Sequence, residues 1–295
     1  MDDSKSTTAR LTVAEVTDAI EAVAPLAWQE SYDNAGLILG SPQQTIGKAL
    51  LCTDITPDVV EEAIAEGAGL IVSHHPAIFR GLKKIDPTTP FGKMLGRSLE
   101  HGIAWYAAHT NFDNAPTGVN AYWADKLGLR NRAVLEPLPG MAAKVPEPAE
   151  GAGKTAEAPQ TADSMRPAAG AGLHGSLPRS MNETELLEKL KTWSGAACIR
   201  HSGLCGRTIT HVGVCGGSGA FLQAGARRAG CQVLITGEAK YHDFVEASPD
   251  LWLVELGHFE SEQFTKQLFY ECIKKKFPTF ATRISETEHC PVCYF

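Results

Sequence analysis

Six residues of this chain combine types and spacings that suit metal or acid–base chemistry. They are the adjacent His74 and His75 in "GLIVSHHPAIFRGLKK", His109 and Asp113 in "HTNFD", and His258 and Glu262 in "GHFESE". Neutral imidazoles and carboxylates are the usual ligands of divalent transition ions such as Zn, Mn, Fe and Co. Neighbouring residues of an extended chain point to opposite sides, so His74 and His75 suit one ion each better than one ion together. A carboxylate has two oxygens and can bridge a pair of ions, which one imidazole cannot. The i, i+4 spacing of His258 and Glu262, at the start of a helix expected over 260–276, puts both on one face. Taken singly, each residue has a plain structural role: a surface or core histidine pair, a helix cap at Asp113, a first-turn carboxylate at Glu262. Their shared position after apolar runs is what sets them apart.

The surrounding pattern indicates the elements that must position them. Thr12 and Glu15 form a capping box ahead of Val13, Val16, Ile20 and Val23 at helical spacing. Apolar runs at 49–52, 70–72 and 103–108 predict strands, while 57–66, stopped by Gly67, and 91–101 predict helices. Such alternation predicts an α/β fold with mostly parallel sheets covered by helices. Functional groups then gather beyond the carboxyl ends of the strands, where His74, His75 and "HTNFD" stand. Between 141 and 172, 18 of 32 residues are Ala, Pro or Gly. That composition buries too little apolar surface to offset ordering, so a flexible linker is expected between a first half (1–140) and a second (173–295).

After the linker the pattern returns: a strand in "HVGVCGG", a helix in "SGAFLQAGARRAG", a strand in "QVLITGE". "GAGLIVSHH" (67–75) aligns without a gap on "GCQVLITGE" (230–238), and His109 and Asp113 fall opposite His258 and Glu262. Two related α/β halves are therefore expected, each presenting a His-x-x-x-acid after a strand, with the site between them.

Composition narrows the classes. The 295 residues are 43% hydrophobic and carry a formal charge of −7, which argues against general nucleic-acid binding, since such affinity rests on cationic neutralisation of phosphates. No apolar run nears the ~20 residues of a membrane helix, and "MDDSKSTTAR" has no secretion-signal core. A cytoplasmic protein is expected, in which six of the eight cysteines, Cys52, Cys198, Cys205, Cys215, Cys231 and Cys272, read as buried free thiols. The closing "HCPVCYF" holds Cys290 and Cys293 in one C-x-x-C with no partner pair, and reads as an ordinary tail within reach of the site or a neighbouring subunit.

Six stretches in order, "YDNAGL" (32–37), "SHHPAIFRGLKK" (73–84), "AHTNFD" (108–113), "GVCGGSGA" (213–220), "ITGEAKYHD" (235–243) and "GHFESE" (257–262), resemble the dinuclear-metal-centre hexameric proteins. These are the GTP cyclohydrolase 1 type 2 homologs and relatives of a yeast NGG1-interacting factor. The resemblance covers nearly the whole chain apart from the linker and the extreme termini. It implies that His74, His75, Asp113, His258 and Glu262 bind two divalent cations (Zn, Mn, Fe, Co or Ni). His109 is then left outside the ligand set, orienting Asp113 or a bound water. It further implies hydrolytic opening of the GTP purine ring with formate release, His109 or His242 shuttling protons, and a homohexamer. Arg80, Lys83, Lys84 and Lys240 are candidates for a triphosphate, and the "GGSGA" turn is a weak anion-site signal without the lysine of a nucleotide P-loop. Relatives usually read "TGD" where this chain has Thr236-Gly237-Glu238, and some carry a folded domain where it has only the linker. A two-metal hydrolase of another nucleotide or phosphoester, or a metal-binding scaffold or regulatory protein without cyclohydrolase activity, remains compatible with the same residues.

Overall fold

The computed structural model describes residues 10–141, 169–247 and 249–295. Local chemistry sets the helices. The Thr12–Glu15 box forms as expected, with the Thr12 amide donating to Glu15 Oε2 at 2.7 Å and the Glu15 amide to Thr12 Oγ1 at 3.2 Å. Thr56 and Thr89 cap helices that begin with proline, Pro57–Glu66 and Pro90–Glu100. Gly67 ends the first of these in a left-handed conformation that side chains disfavour.

Two sheets carry the molecule. The first has five strands in the order Ala281–Ile284, Lys48–Cys52, Leu70–Ser73, Ala104–Ala107, Gly36–Leu39, all parallel except the last. The second has six, Arg130–Pro137, Gly170–Asn182, Thr208–Cys215, Val233–Thr236, Trp252–Glu255, Arg200–His201. Its three central strands from Thr208 to Glu255 are parallel, and the outer ones pair antiparallel. Leu70–Ser73, Ala104–Ala107, Val233–Thr236 and Trp252–Glu255 are buried along their whole length. That is why they read as continuous apolar runs and not as alternation: helices cover both faces of each sheet.

The α/β architecture expected from the alternation is present, and each sheet contains the same strand–helix–strand–helix–strand core. The division between the halves is less clean than the sequence suggested. Strand Arg130–Pro137, ahead of the expected linker, pairs with Gly170–Asn182 of the second sheet, and Ala281–Ile284, near the C-terminus, pairs with Lys48–Cys52 of the first. Helix Thr265–Lys276 likewise sends Phe269 and Ile273 into the core beneath the first sheet. Helix Val119–Leu127 packs Trp123, Ala124 and Leu127 into the second. The linker expected over 141–172 falls mainly outside the described residues, but its end is structured, since a strand already begins at Gly170. The helix expected over 260–276 is two, His258–Glu262 and Thr265–Lys276. Among the described residues no helix is long and apolar enough to cross a membrane.

Candidate metal centre

All the strand ends of interest open on one space between the sheets. His74 and His75 follow Leu70–Ser73, and His109 and Asp113 follow Ala104–Ala107. From the other sheet come Gly216 and Gly217 after Thr208–Cys215, Glu238 after Val233–Thr236, and His258 and Glu262 after Trp252–Glu255. Helix His258–Glu262 does turn His258 and Glu262 to one side, with His258 Nε2 3.1 Å from Glu262 Oε2.

Glu262 is the hub. Its side chain is 3% exposed, and its two oxygens face different neighbours. Oε1 lies 3.5 Å from His74 Nε2, which is also 3.5 Å from Asp113 Oδ1. Oε2 lies 3.0 Å from His75 Nε2 and 3.1 Å from His258 Nε2. Ligating atoms of His74, His75 and Glu262 all fall within 4.8 Å of one another. Gly217, at a φ of 58°, makes room: a Cβ there would come within 2.2 Å of Glu262 Oε1.

The far side of each imidazole is held. His74 Nδ1 donates to the Ala108 carbonyl at 2.8 Å, His75 Nδ1 to Asp54 Oδ1 at 2.8 Å and His258 Nδ1 to Glu238 Oε2 at 2.9 Å. Such partners fix the tautomer and aim the opposite nitrogen inward, as is usual for metal-ligating histidines. Asp54 is in turn fixed by Glu288, whose Oε1 accepts from the amides of Thr53 and Asp54 at 2.6 and 2.7 Å.

Electrostatics show what this arrangement lacks. His74 Nε2 and Asp113 Oδ1 are buried and have no hydrogen-bond partner among the described residues. With Nδ1 donating to a carbonyl, the Nε2 lone pair of His74 confronts two carboxylate oxygens. Burial holds His74 below the ordinary imidazole range. Burial and the neighbouring Glu262 push Asp113 well above the usual carboxylate range. Burial would raise Glu262 as well, but His74, His258 and His75 outweigh it and keep that carboxyl well below its usual value. Buried polar atoms left without partners at the meeting point of three side chains are what cations would satisfy, and the donors are of the imidazole and carboxylate class that divalent transition ions take. The residues present fit such ions.

His109 stands beside the cluster, its ring centroid 5.4 Å from that of His74 and 5.5 Å from that of His75. Its side chain does not orient Asp113. Nδ1 instead donates to Asp33 Oδ1 at 2.7 Å, and the other oxygen of Asp33 accepts from the amide and hydroxyl of Thr110. Burial alone would raise Asp33, but these hydrogen bonds and the His109 charge lower it to about 2. The sign follows: a carboxyl depressed from 3.8 stabilises the fold above about pH 4 and loses that contribution as pH falls toward 2. Asp33→Asn should therefore be about 2 kcal/mol less stable than the parent at pH 7. The gap should close by about pH 2, as read from denaturant midpoints across pH. Equal midpoints at pH 7 would mean the Asp33 contacts contribute nothing.

Not every residue singled out in the sequence arrives. His242 sits exposed on helix Tyr241–Ala247 and lines neither cavity at the cluster. Arg80, Lys83, Lys84 and Lys240 are exposed and also line neither. The "GGSGA" turn has its polar groups occupied within the fold: the Gly217 and Gly219 amides donate to Ser261 and Thr236 hydroxyls at 2.9 and 2.8 Å. It leads only into a 3-10 turn and the short helix Gln223–Arg228. Asp33, Asp54, Glu238 and Glu288 were not assigned roles from sequence, although Asp33 and Glu238 lie within the quoted "YDNAGL" and "ITGEAKYHD". The C-terminal tail does reach the site. Pro291, Val292 and Tyr294 line a cavity of about 460 Å³ together with His75, Glu238 and His258. A second cavity, of about 260 Å³, opens on the other side of His258, walled by His109, Asp113 and Glu262 and rimmed by Tyr32, Phe79 and Phe221.

A model of the family described as Duf34/NIF3 (NGG1p interacting factor 3) matches residues 11–291. A Clostridium perfringens protein named GTP cyclohydrolase 1 type 2 homolog is 30% identical over 250 residues, covering 84% of this chain and 86% of its own. One of the same name from Streptomyces coelicolor is 30% identical over 254 residues, covering 85% and 81%. The crystal structure of a Bacillus cereus protein related to NIF3 superposes with a TM-score of 0.83 at 24% identity, over 97% of this chain and 99% of that one.

Proposed function

This chain belongs to the Duf34/NIF3 family, and on that premise we propose that it is a hydrolase with a dinuclear metal centre that opens the purine ring of GTP and releases formate. One observation carries the reading: the two oxygens of buried Glu262 serve different donor sets, His74 with Asp113 on one side and His75 with His258 on the other. Each set would hold one divalent cation, with Glu262 shared, and Zn, Mn, Fe, Co and Ni are all compatible with such donors. When bound, a pair of this kind supplies ionised water near neutral pH and stabilises negative charge at an attacked carbon.

The remaining work falls to the chain. Asp33 fixes Nδ1 of His109, which leaves Nε2 to take a proton from a water adding to the ring carbon and return it to the ring nitrogen that leaves, and to do the same as a second water cleaves the resulting formamide into formate and an amine. Tyr32, Phe79 and Phe221, all well exposed at the cavity rim, give a planar base surfaces to stack on. A cavity of about 260 Å³ suits a ring and leaves the phosphates at its mouth. The name borne by the relatives supports GTP as the nucleotide. We also propose a homohexamer, which would cover the exposed Leu82 and Ile85 on the loop after His75; sedimentation as a monomer would remove it.

The test is formate release from GTP by metal-loaded protein. It should be abolished in Asp113→Ala and Glu262→Ala and fall on the order of 100-fold or more in kcat, with a smaller change in KM, in His109→Gln. A chain that holds two ions yet releases no formate withdraws GTP and leaves a hydrolase of another nucleotide or phosphoester, or a metal-binding scaffold.

A further inference from the structure

Away from this centre, three further donors converge on one face of the second sheet: His174 on strand Gly170–Asn182, His211 on strand Thr208–Cys215, and Cys231 just before strand Val233–Thr236. One ligating atom from each lies within 4.8 Å of the others. His174 Nδ1 and His211 Nε2 face each other at 2.9 Å. The other nitrogen of His211, Nδ1, is 3.2 Å from the Ser176 hydroxyl. An N–H directed at Ser176 leaves the Nε2 lone pair of His211 facing His174, the orienting arrangement common behind metal-bound imidazoles.

Beside the donors, the facing strand position carries no side chain. Gly213 is the register partner of His174, and a Cβ there would meet Cys231 Sγ, Leu135 and Leu234 at 3.3–3.4 Å. The surrounding backbone is tied down. Gln232 Oε1 accepts from the amides of Thr210 and His211 at 3.0 and 2.7 Å, and the Gln232 amide donates to the His211 carbonyl at 3.1 Å. Cys231 is 5% exposed, and its thiol has no hydrogen-bond partner among the described residues. Two imidazole nitrogens in contact share a single proton at best. An ion between them would use both lone pairs and the thiolate together.

We propose that His174, His211 and Cys231 form a separate metal site of two nitrogens and one sulfur for a single zinc-class divalent ion, with a solvent molecule as fourth ligand. The donor set favours a borderline-soft ion over Mg or Ca. The two nitrogens need to open only from 2.9 Å to the roughly 3.3 Å edge of a tetrahedron with metal–nitrogen bonds of about 2.0–2.1 Å. Three strands distant in sequence would then be pinned by one ion.

Cobalt(II) alone, titrated into chelator-stripped full-length protein, tests this, because cobalt bound to thiolate absorbs in the near ultraviolet and cobalt bound only to nitrogen and oxygen does not. The parent protein should develop that absorption to one equivalent. It should be lost in Cys231→Ser and, at a half-exposed position that tolerates change, in His211→Gln, with one equivalent of bound cobalt lost in each. His75→Ala, which disturbs the other centre, should leave it unchanged. A parent protein without the absorption, absorption that survives either Cys231→Ser or His211→Gln, or its loss in His75→Ala would overturn the proposal.

Discussion

Glu262→Gln is expected to abolish ion binding at the proposed dinuclear centre and, independently of metal, to destabilise the fold by about 1–3 kcal/mol. An amide has the carboxylate's shape but offers one acceptor and one donor, so it cannot serve both donor sets. Apparent site affinities of roughly 10–16 kcal/mol for four ligands put each ligand at about 2.5–4 kcal/mol, which is roughly 60- to 1,000-fold in affinity for each ion that Glu262 touches. The stability loss has a separate origin. Glu262 is the buried anion against which His75 and His258 are charged in the metal-free chain. Burial opposes that charging, but hydrogen bonds to Asp54 and Glu262 raise His75 to about 10, and those to Glu262 and Glu238 raise His258 to about 9. Removing the anion leaves those charges with only the half-exposed carboxylates of Asp54 and Glu238. Metal analysis after chelation and reloading reads the first effect, and denaturant unfolding in chelator reads the second. His242→Ala, on its exposed helix, should change neither. Parental stoichiometry and affinity in Glu262→Gln would end the idea of a shared carboxylate.

What the sequence could reveal follows from how local each signal is. His74, His75, His109, Asp113, His258 and Glu262 all come shortly after strands buried along their whole length, and a strand buried on both faces announces itself as a nearly unbroken apolar run such as Leu70–Val72. The groups that hold them do not. Asp33 reaches His109 across 76 positions, and Glu288 reaches Thr53 across 235. No spacing rule links such pairs, and an isolated acid in a loop looks like any solvated carboxylate. His242 misled for the opposite reason: its neighbours in "ITGEAKYHD" lie at the site, but the helix beginning at Tyr241 carries it outward. The edge strands were hidden by composition. "RNRAVLEP" is mostly exposed along its length, and "ATRI" has two polar residues among its four and none fully buried, so neither shows the apolar run of a central strand.

That exchange of edge strands predicts that neither half folds alone. A fragment of residues 1–141 would lose Phe269, Ile273 and Phe280, all fully buried in the core beneath the first sheet. At about 1.5–3 kcal/mol for each buried side chain the loss is roughly 5–9 kcal/mol, comparable to the whole stability of an ordinary domain at about 5–15 kcal/mol. It would also expose the edge of Lys48–Cys52, left without its parallel partner Ala281–Ile284. The complementary fragment, 169–295, would lack the Arg130–Pro137 strand and the Trp123, Ala124 and Leu127 packing of the second core. Each fragment expressed alone should show no cooperative unfolding transition, while the two expressed together should associate and regain one. Because Glu262 lies on one fragment and His74, His75 and Asp113 on the other, the rejoined pair should also regain the proposed dinuclear centre, which neither fragment can assemble alone. A fragment 1–141 that unfolds cooperatively by itself would show that the exchanged elements decorate the first sheet without completing it.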